Sequence, residues 1–184
     1  MARHAARPLP LRPPSAHGPL EEPVAFQGVT FQRERLANIA RELPALFTRH
    51  HDELAVDKAK APLDFDWEMY LNLDLLGTLQ IVTVRDGKLL VGYVFNVIRP
   101  HPHKKSTRFC IVDMYWLHPA YRVGLIGLKL FRLNEEFLKA AKVKKITVGE
   151  KLHFHNEGDR RVALLFKRLG YKPEDLYYGK WIGG

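Results

Sequence analysis

The sequence predicts an α/β domain built on one mixed, mostly antiparallel sheet flanked by helices, and three observations carry that prediction. Two apolar, partly alternating segments, 78–85 and 88–99, are joined by Asp86-Gly87, a strong two-residue hairpin signal. A third apolar segment, 107–117, runs into a glycine-containing turn and then into a helical pattern that lasts to Lys142. A short apolar segment, 143–149, follows that helix, and a strand–helix–strand connection of this kind places its two strands parallel.

With 184 residues the chain can bury one good core and hardly two, so residues 24–184 are expected to form a single domain. No apolar run is long enough to span a membrane. The single cysteine, Cys110, lies inside an expected strand and makes no intrachain disulfide, which fits a reducing cytoplasm. The formal charge of +9 favours anionic partners in general. The excess is spread along the chain rather than gathered in one run, so CoA, DNA, RNA and anionic lipid all qualify by charge; nucleic acid is not the expected partner, and any basic surface should act through salt-sensitive electrostatics. Six of the twelve prolines lie in residues 1–23, which bars helix and central strand there and leaves a disordered or extended arm. Its arginines suit a targeting segment, but no amphipathic helix accompanies them; a partner-binding arm or a mis-assigned start codon fits better.

Residues 24–31 alternate weakly and read as a first strand. Leu36, Ile39, Ala40, Leu43, Leu46 and Phe47 recur at helical spacing, with Pro44 either kinking that helix or starting a second one. A further helix opens near Asp64 and Asp66 and ends at Gly77. Its acidic start, Asp64, Asp66 and Glu68 with Asp74 beyond, is what a helix dipole favours, and recruitment of a cationic ligand is the rival reading. Residues 101–106 read as a polar, basic loop. In the helix after the turn, Ile126, Leu130, Leu133, Phe137 and Ala141 share one face and Lys129, Arg132, Glu136 and Lys139 the other. Asp159 is expected to cap a last helix with apolar Val162, Leu165, Phe166 and Leu169, ended by Gly170, and 171–181 to hold one or two terminal strands.

The chemistry is concentrated where the third strand meets its helix, at His118-Pro119-Ala120-Tyr121-Arg122-Val123-Gly124-Leu125-Ile126-Gly127. A strand-to-helix turn exposes free N–H groups and partial positive charge, Gly124 and Gly127 keep side chains away from a ligand, and Arg122 adds a forked cation. The combination suits phosphate, most naturally the diphosphate of a nucleotide-containing cofactor.

In its order of elements and in this motif the chain resembles the GNAT N-acyltransferases, whose acetyl-CoA-binding turn usually reads Arg/Gln-x-x-Gly-x-Gly/Ala. Arg122 and Gly127 match, whereas Leu125 stands where the first glycine is expected and Gly124 lies one place earlier. Gly87-Lys88-Leu89-Leu90-Val91-Gly92-Tyr93 and Leu164-Leu165-Phe166-Lys167-Arg168-Leu169-Gly170-Tyr171 resemble further family segments. Val112 to Arg122 and Lys151-Leu152-His153-Phe154-His155 look more narrowly like GNAT-related proteins of tailed phages and prophages.

The resemblance implies a GNAT fold and acetyl transfer from acetyl-CoA to an amine, of a small molecule or a protein, in the cytoplasm. It places the cofactor on Trp116, Leu117, His118, Arg122, Val123, Gly124, Leu125, Ile126 and Gly127. Asp113 is the first candidate base, because an aspartate within an apolar strand is costly to bury bare and must be paired or useful; a structural salt bridge to Arg or Lys is the alternative, and Tyr115 is expected on the same face. Phe166 stands where many family members carry a proton-donating tyrosine, and it cannot donate. The pairs His101/His103 and His153/His155 have no third ligand at a telling spacing, so no metal is expected, and a histidine lining the acceptor cleft as a base fits better. The alternative is a non-catalytic GNAT-shaped protein that binds a host protein or nucleic acid.

Overall fold

The computed structural model describes residues 22–55, 58–150, 157–175, 177–178, 180 and 182, with only the backbone of 157–160. The described residues fall into two compact units that divide after Gly149. The first holds a six-stranded sheet in sequential order: β1 (Val24–Phe26), β2 (Val29–Glu34), β3 (Leu79–Asp86), β4 (Leu89–His101), β5 (Lys104–Leu117) and β6 (Val143–Val148). All neighbours are antiparallel except β5 and β6, which are parallel, as the intervening helix requires.

Helices α1 (Leu36–Ile39), α2 (Leu43–Leu54) and α3 (Trp67–Leu75) follow β2. Pro44 sits in the first turn of α2, where a missing N–H costs nothing, so it starts a second helix. Asp66 caps α3 by accepting the Met69 N–H at 2.8 Å, and Gly77 closes its C-terminal turn in the left-handed region, φ 67°. These helices bury Leu36, Ile39, Leu43, Phe47 and Tyr70 against Leu79, Ile81, Tyr93, Phe95 and Trp116 of the sheet. The intervening residues of β4 serve the opposite face. There Asn96 exchanges hydrogen bonds with Asn134 of α4 (Ile126–Ala140) at 2.7 and 3.2 Å, and the Arg33 guanidinium lies 5.3 Å from the Phe137 ring.

Several expectations are corrected. The first strand is two: Gln27 and Gly28 both take positive φ, folding 24–34 into a hairpin. Asp86 pairs with Leu89, so the next turn is Gly87-Lys88 rather than Asp86-Gly87. The expected loop at 101–106 is the tip of a hairpin in which His101 pairs with Lys104.

The second unit holds α5 (Glu157–Arg168), which starts before Asp159; that residue is in the first turn and not the cap. Among its described side chains Phe166 is buried, Leu165 is half-buried like Leu169 beyond it, and Gly170 ends the helix with φ 86°. No strand forms among the described residues of 171–182.

Candidate functional site

The site begins where two strands part. β6 accompanies β5 only from Arg108 to Val112, whereas β5 continues to Leu117. Beyond Val112 the β6-facing edge of β5 has lost its ladder partner, and backbone groups there must find another. The Tyr115 hydroxyl spans the opening and donates to the Gly149 carbonyl at 3.2 Å. At the fork Phe95 pairs with Met114 and Asn96 with Val112, leaving Asp113 as the extra residue of a β-bulge.

The bulge overturns one expectation. Simple alternation would put Asp113 and Tyr115 on one face. The extra residue shifts the phase, so Asp113 accepts a short hydrogen bond from the Tyr70 hydroxyl of α3, while Tyr115 packs edge-on against Phe131 of α4, centroids 5.3 Å apart. Asp113 is also exposed rather than enclosed, so the burial argument for a base does not hold and its claim rests on position. Burial, reinforced by the Asp113 carboxylate, pushes the Tyr70 phenol well above its usual range.

β5 then delivers the chain to the turn. The His118 N–H donates to Val91 O at 2.8 Å, and His118 Nδ1 accepts the Ala120 N–H at 3.3 Å to open a short 3-10 turn, Pro119–Tyr121. The Tyr121 hydroxyl donates to Asp86 at 2.7 Å. Gly124 takes φ 60°, and a Cβ there would stand 3.0 Å from Gln27 Oε1. Leu125 has φ −116°, which any residue adopts, so this turn needs its glycine one place earlier than the family pattern has it. Leu125 is the N-cap of α4 and offers no side-chain cap; its own N–H donates to Gln27 Oε1 at 3.2 Å. The N–H groups that follow, from Ile126 and Gly127, open a helix without the usual Ser, Thr, Asp or Asn. Val123 and Leu125 are exposed and Ile126 is buried. Upstream, Gly92 on β4 allows the close approach that the end of β5 needs, because a Cβ there would meet Leu117 Cδ1 at 2.7 Å.

Arg122 does not stand open. Its two terminal nitrogens hold the Glu53 carboxylate, one of them at 2.6 Å, and its Nε donates to Leu117 O at 2.7 Å. The guanidinium lies 5.9 Å from the buried Trp116 ring, whose Nε1 also donates to Glu53, at 2.8 Å. The Arg122 hydrogen bonds are the largest influence on the Glu53 carboxyl and hold it below the usual range despite partial burial. One turn earlier on α2, His50 stacks on Trp116, and its Nδ1 is hydrogen-bonded to the Tyr93 hydroxyl at 2.7 Å. Glu53, His50, Tyr70 and Gln27 were not singled out from the sequence. The helical spacing of His50 and Glu53 was the only available signal.

Other candidates fall away from this site. Asp66 is a helix cap, and Asp74 is buried and accepts from Arg35 Nε at 3.0 Å, so the acidic spot is largely accounted for structurally. His153 and His155 lie outside the described residues. His101 and His103 meet each other with ring centroids 5.5 Å apart, at the far end of β5. Cys110 is buried, which pushes its thiol up to about 12.

A scan against protein-family models and a search of curated proteins gave no match. Solved structures did match. An aminoglycoside acetyltransferase, HMB0005, from an uncultured soil metagenomic sample superposes with TM-score 0.67 at 12% identity, over 84% of this chain and 99% of that one. The ribosomal-protein-alanine N-acetyltransferase of Brucella melitensis biovar Abortus 2308 gives 0.60 at 17% identity, over 84% and 99%. A predicted acetyltransferase from Clostridium acetobutylicum, solved with acetyl-CoA, gives 0.63 at 13% identity, over 84% and 96%. With its sheet, its forked β5–β6 pair and the turn into α4, the chain has the fold of the GNAT acyl-CoA N-acyltransferases.

Proposed function

We propose that the protein is an acyl-CoA-dependent N-acetyltransferase that moves an acetyl group from acetyl-CoA to an amine. The observation that carries this reading is the fork between β5 and β6 leading directly into an uncapped helix start at Gly124–Gly127. Released backbone at the fork suits a thioester carbonyl, and the helix start suits a diphosphate. Acetyl-CoA is a co-substrate here. Trp116, Leu117 and His118 would line its pantetheine-bearing end, and Arg122, Val123, Gly124, Leu125, Ile126 and Gly127 its diphosphate.

The amine nitrogen attacks the thioester carbonyl carbon, the new C–N bond forms, the C–S bond breaks, and CoA leaves as the thiol after gaining a proton. Asp113, exposed at the bulge and oriented by Tyr70, takes the proton from the amine, directly or through a water. Tyr115, which bridges the mouth of the fork from the opposite face through the Gly149 carbonyl, would return one to sulfur. Phe166 plays no part in proton transfer.

The acceptor is an amine of a small molecule or of a protein; structural neighbours named for aminoglycosides and for a ribosomal-protein alanine span both classes. The matches span 84% of the chain, which supports one acyltransferase domain over 24–184. No helix of the described residues is long and apolar enough to cross a membrane, and cytoplasmic acetyl-CoA would suit the reaction. The likeness to phage-encoded proteins rests on residues 112–122 and 151–155 alone, and none of the three structures named above is described as a phage protein.

Calorimetric titration with acetyl-CoA tests the reading. Saturable binding, followed by thiol release in the presence of an amine panel, is the expected result; no binding at millimolar acetyl-CoA would overturn it. One observation favours a second reading, a GNAT-shaped binder without turnover: Arg122 is already paired with Glu53. Binding of CoA with no thiol release for any amine would decide for it.

A further inference from the structure

The fold gathers charges that the sequence scatters. The β4–β5 hairpin runs on past both flanking strands: the first residue of β3, Leu79, pairs with Val97, and the first of β6, Val143, pairs with Arg108. Arg99, Lys104 and Lys105 stand exposed on this tip. The turn from α4 into β6 arrives at the same end of the sheet, because Arg108 donates to Ala141 O at 2.7 Å, and it brings exposed Lys142 and Lys144. No Asp or Glu occurs between Asp86 and Asp113, or between Glu136 and Glu150, so neither segment supplies a carboxylate of its own.

Lys142 adds a separate observation. It has φ 60°, the left-handed conformation at the end of a helix that glycine adopts without cost. A lysine there keeps a cation at some backbone expense, although Lys139 already serves the dipole in the last turn of α4.

We propose that this end of the sheet binds the phosphate backbone of duplex DNA without reading its sequence. A two-stranded ribbon is narrow enough for the major groove, about 12 Å wide, and five exposed cations on the hairpin tip and on the adjoining entry into β6 carry the charge that a phosphate backbone attracts. The hairpin tip lies at the opposite end of β5 from Leu117, roughly 40 Å away along the strand at about 3.3 Å per residue, so the surface is distinct from the fork.

The test is fluorescence anisotropy with a short labelled duplex of mixed sequence, titrated with the full-length protein at about 50 and about 200 mM salt. Wild type should bind at low salt and lose affinity steeply as salt rises. The triple variant Arg99→Gln, Lys104→Gln, Lys105→Gln should bind at least about tenfold more weakly at low salt. Its log–log salt slope should be shallower by about 2.7, at about 0.9 for each phosphate left without its cation. Lys142→Gly should weaken DNA binding while its melting temperature holds or rises, which separates loss of charge from loss of fold. Acetyl-CoA titrations should be the same for all three proteins. Wild-type levels of DNA binding in both variants would overturn the proposal, as would absence of binding by wild type. Equal competition by polyglutamate would also overturn it and assign the surface to an acidic protein.

Discussion

Glu53 and Arg122, 69 residues apart in the chain, form a two-pronged ion pair that lays the guanidinium over Trp116. The residue best suited to grip a diphosphate is thus already gripped by a carboxylate. If acetyl-CoA uses Arg122, it competes with Glu53 for the same nitrogens. Glu53→Gln should then tighten acetyl-CoA binding about fivefold, the scale of a partly exposed ion pair of about 1 kcal/mol. Arg122→Ala should weaken it about tenfold, and by more when introduced into Glu53→Gln. Calorimetry on the four proteins checks this; equal affinities throughout would make the pair a scaffold.

The same pair predicts a pH dependence of stability. The Glu53 carboxyl sits below the ordinary glutamate value of 4.5 in the folded chain, so its contribution is present above that value and is lost as pH falls through the depressed folded one. The difference in melting temperature between wild type and Glu53→Gln should therefore be constant from neutrality down to mildly acidic pH and shrink below the ordinary carboxylate range. Thermal melts over that range read it directly.

Asp113→Asn keeps shape and removes the proton acceptor. With an acceptor amine in hand, the rate at saturating acetyl-CoA should fall about 10²-fold or more, while acetyl-CoA affinity hardly changes. Tyr70→Phe removes the hydroxyl that orients Asp113 and should cost about tenfold in rate, with the larger part in kcat. A drop in both stability and acetyl-CoA affinity for Asp113→Asn would mark it as structural, and the base would have to be sought elsewhere.

Gly124→Ala should destabilise the fold by about 1–2 kcal/mol, because its φ of 60° is left-handed and the new methyl would press on Gln27. Acetyl-CoA affinity should fall with it. Leu125→Gly, which installs the glycine of the GNAT pattern at a position that does not need one, should not improve binding. Denaturant melts with parallel titrations compare the two.

Cys110 should not react with thiol reagents at neutral pH in the folded protein, since burial pushes its thiol up to about 12. One equivalent should react only after denaturation. A folded chain that is silent in this way lets released CoA be followed by thiol colorimetry without background.

The parts of the fold that were legible in sequence are those written in local period. The apolar face of α4, the β3 and β4 segments and the parallel return of β6 follow from spacing alone. Turns were legible to within a residue, because Asp86-Gly87 and Gly87-Lys88 differ only in which residue the ladder claims. The bulge at Asp113 was not legible: one extra residue leaves composition unchanged and reverses every face after it. The partners Glu53 and Tyr70 were hidden for another reason. Each meets its partner across 43 residues or more, a distance at which no periodicity speaks. The basic end of the sheet was missed in the same way, since Arg99–Lys105 and Lys142–Lys144 adjoin only once the sheet is folded.

Gln27, in the first hairpin, closes the helix start at Leu125 across 98 residues. A ribosome making this chain releases β1 and β2 long before α4 exists, so the turn into α4 cannot acquire its final wall until nearly the whole first unit has emerged. That closure belongs among the late steps of folding, since contacts of such sequence separation form slowly. Gln27→Ala should accordingly speed unfolding while leaving the refolding rate nearly unchanged.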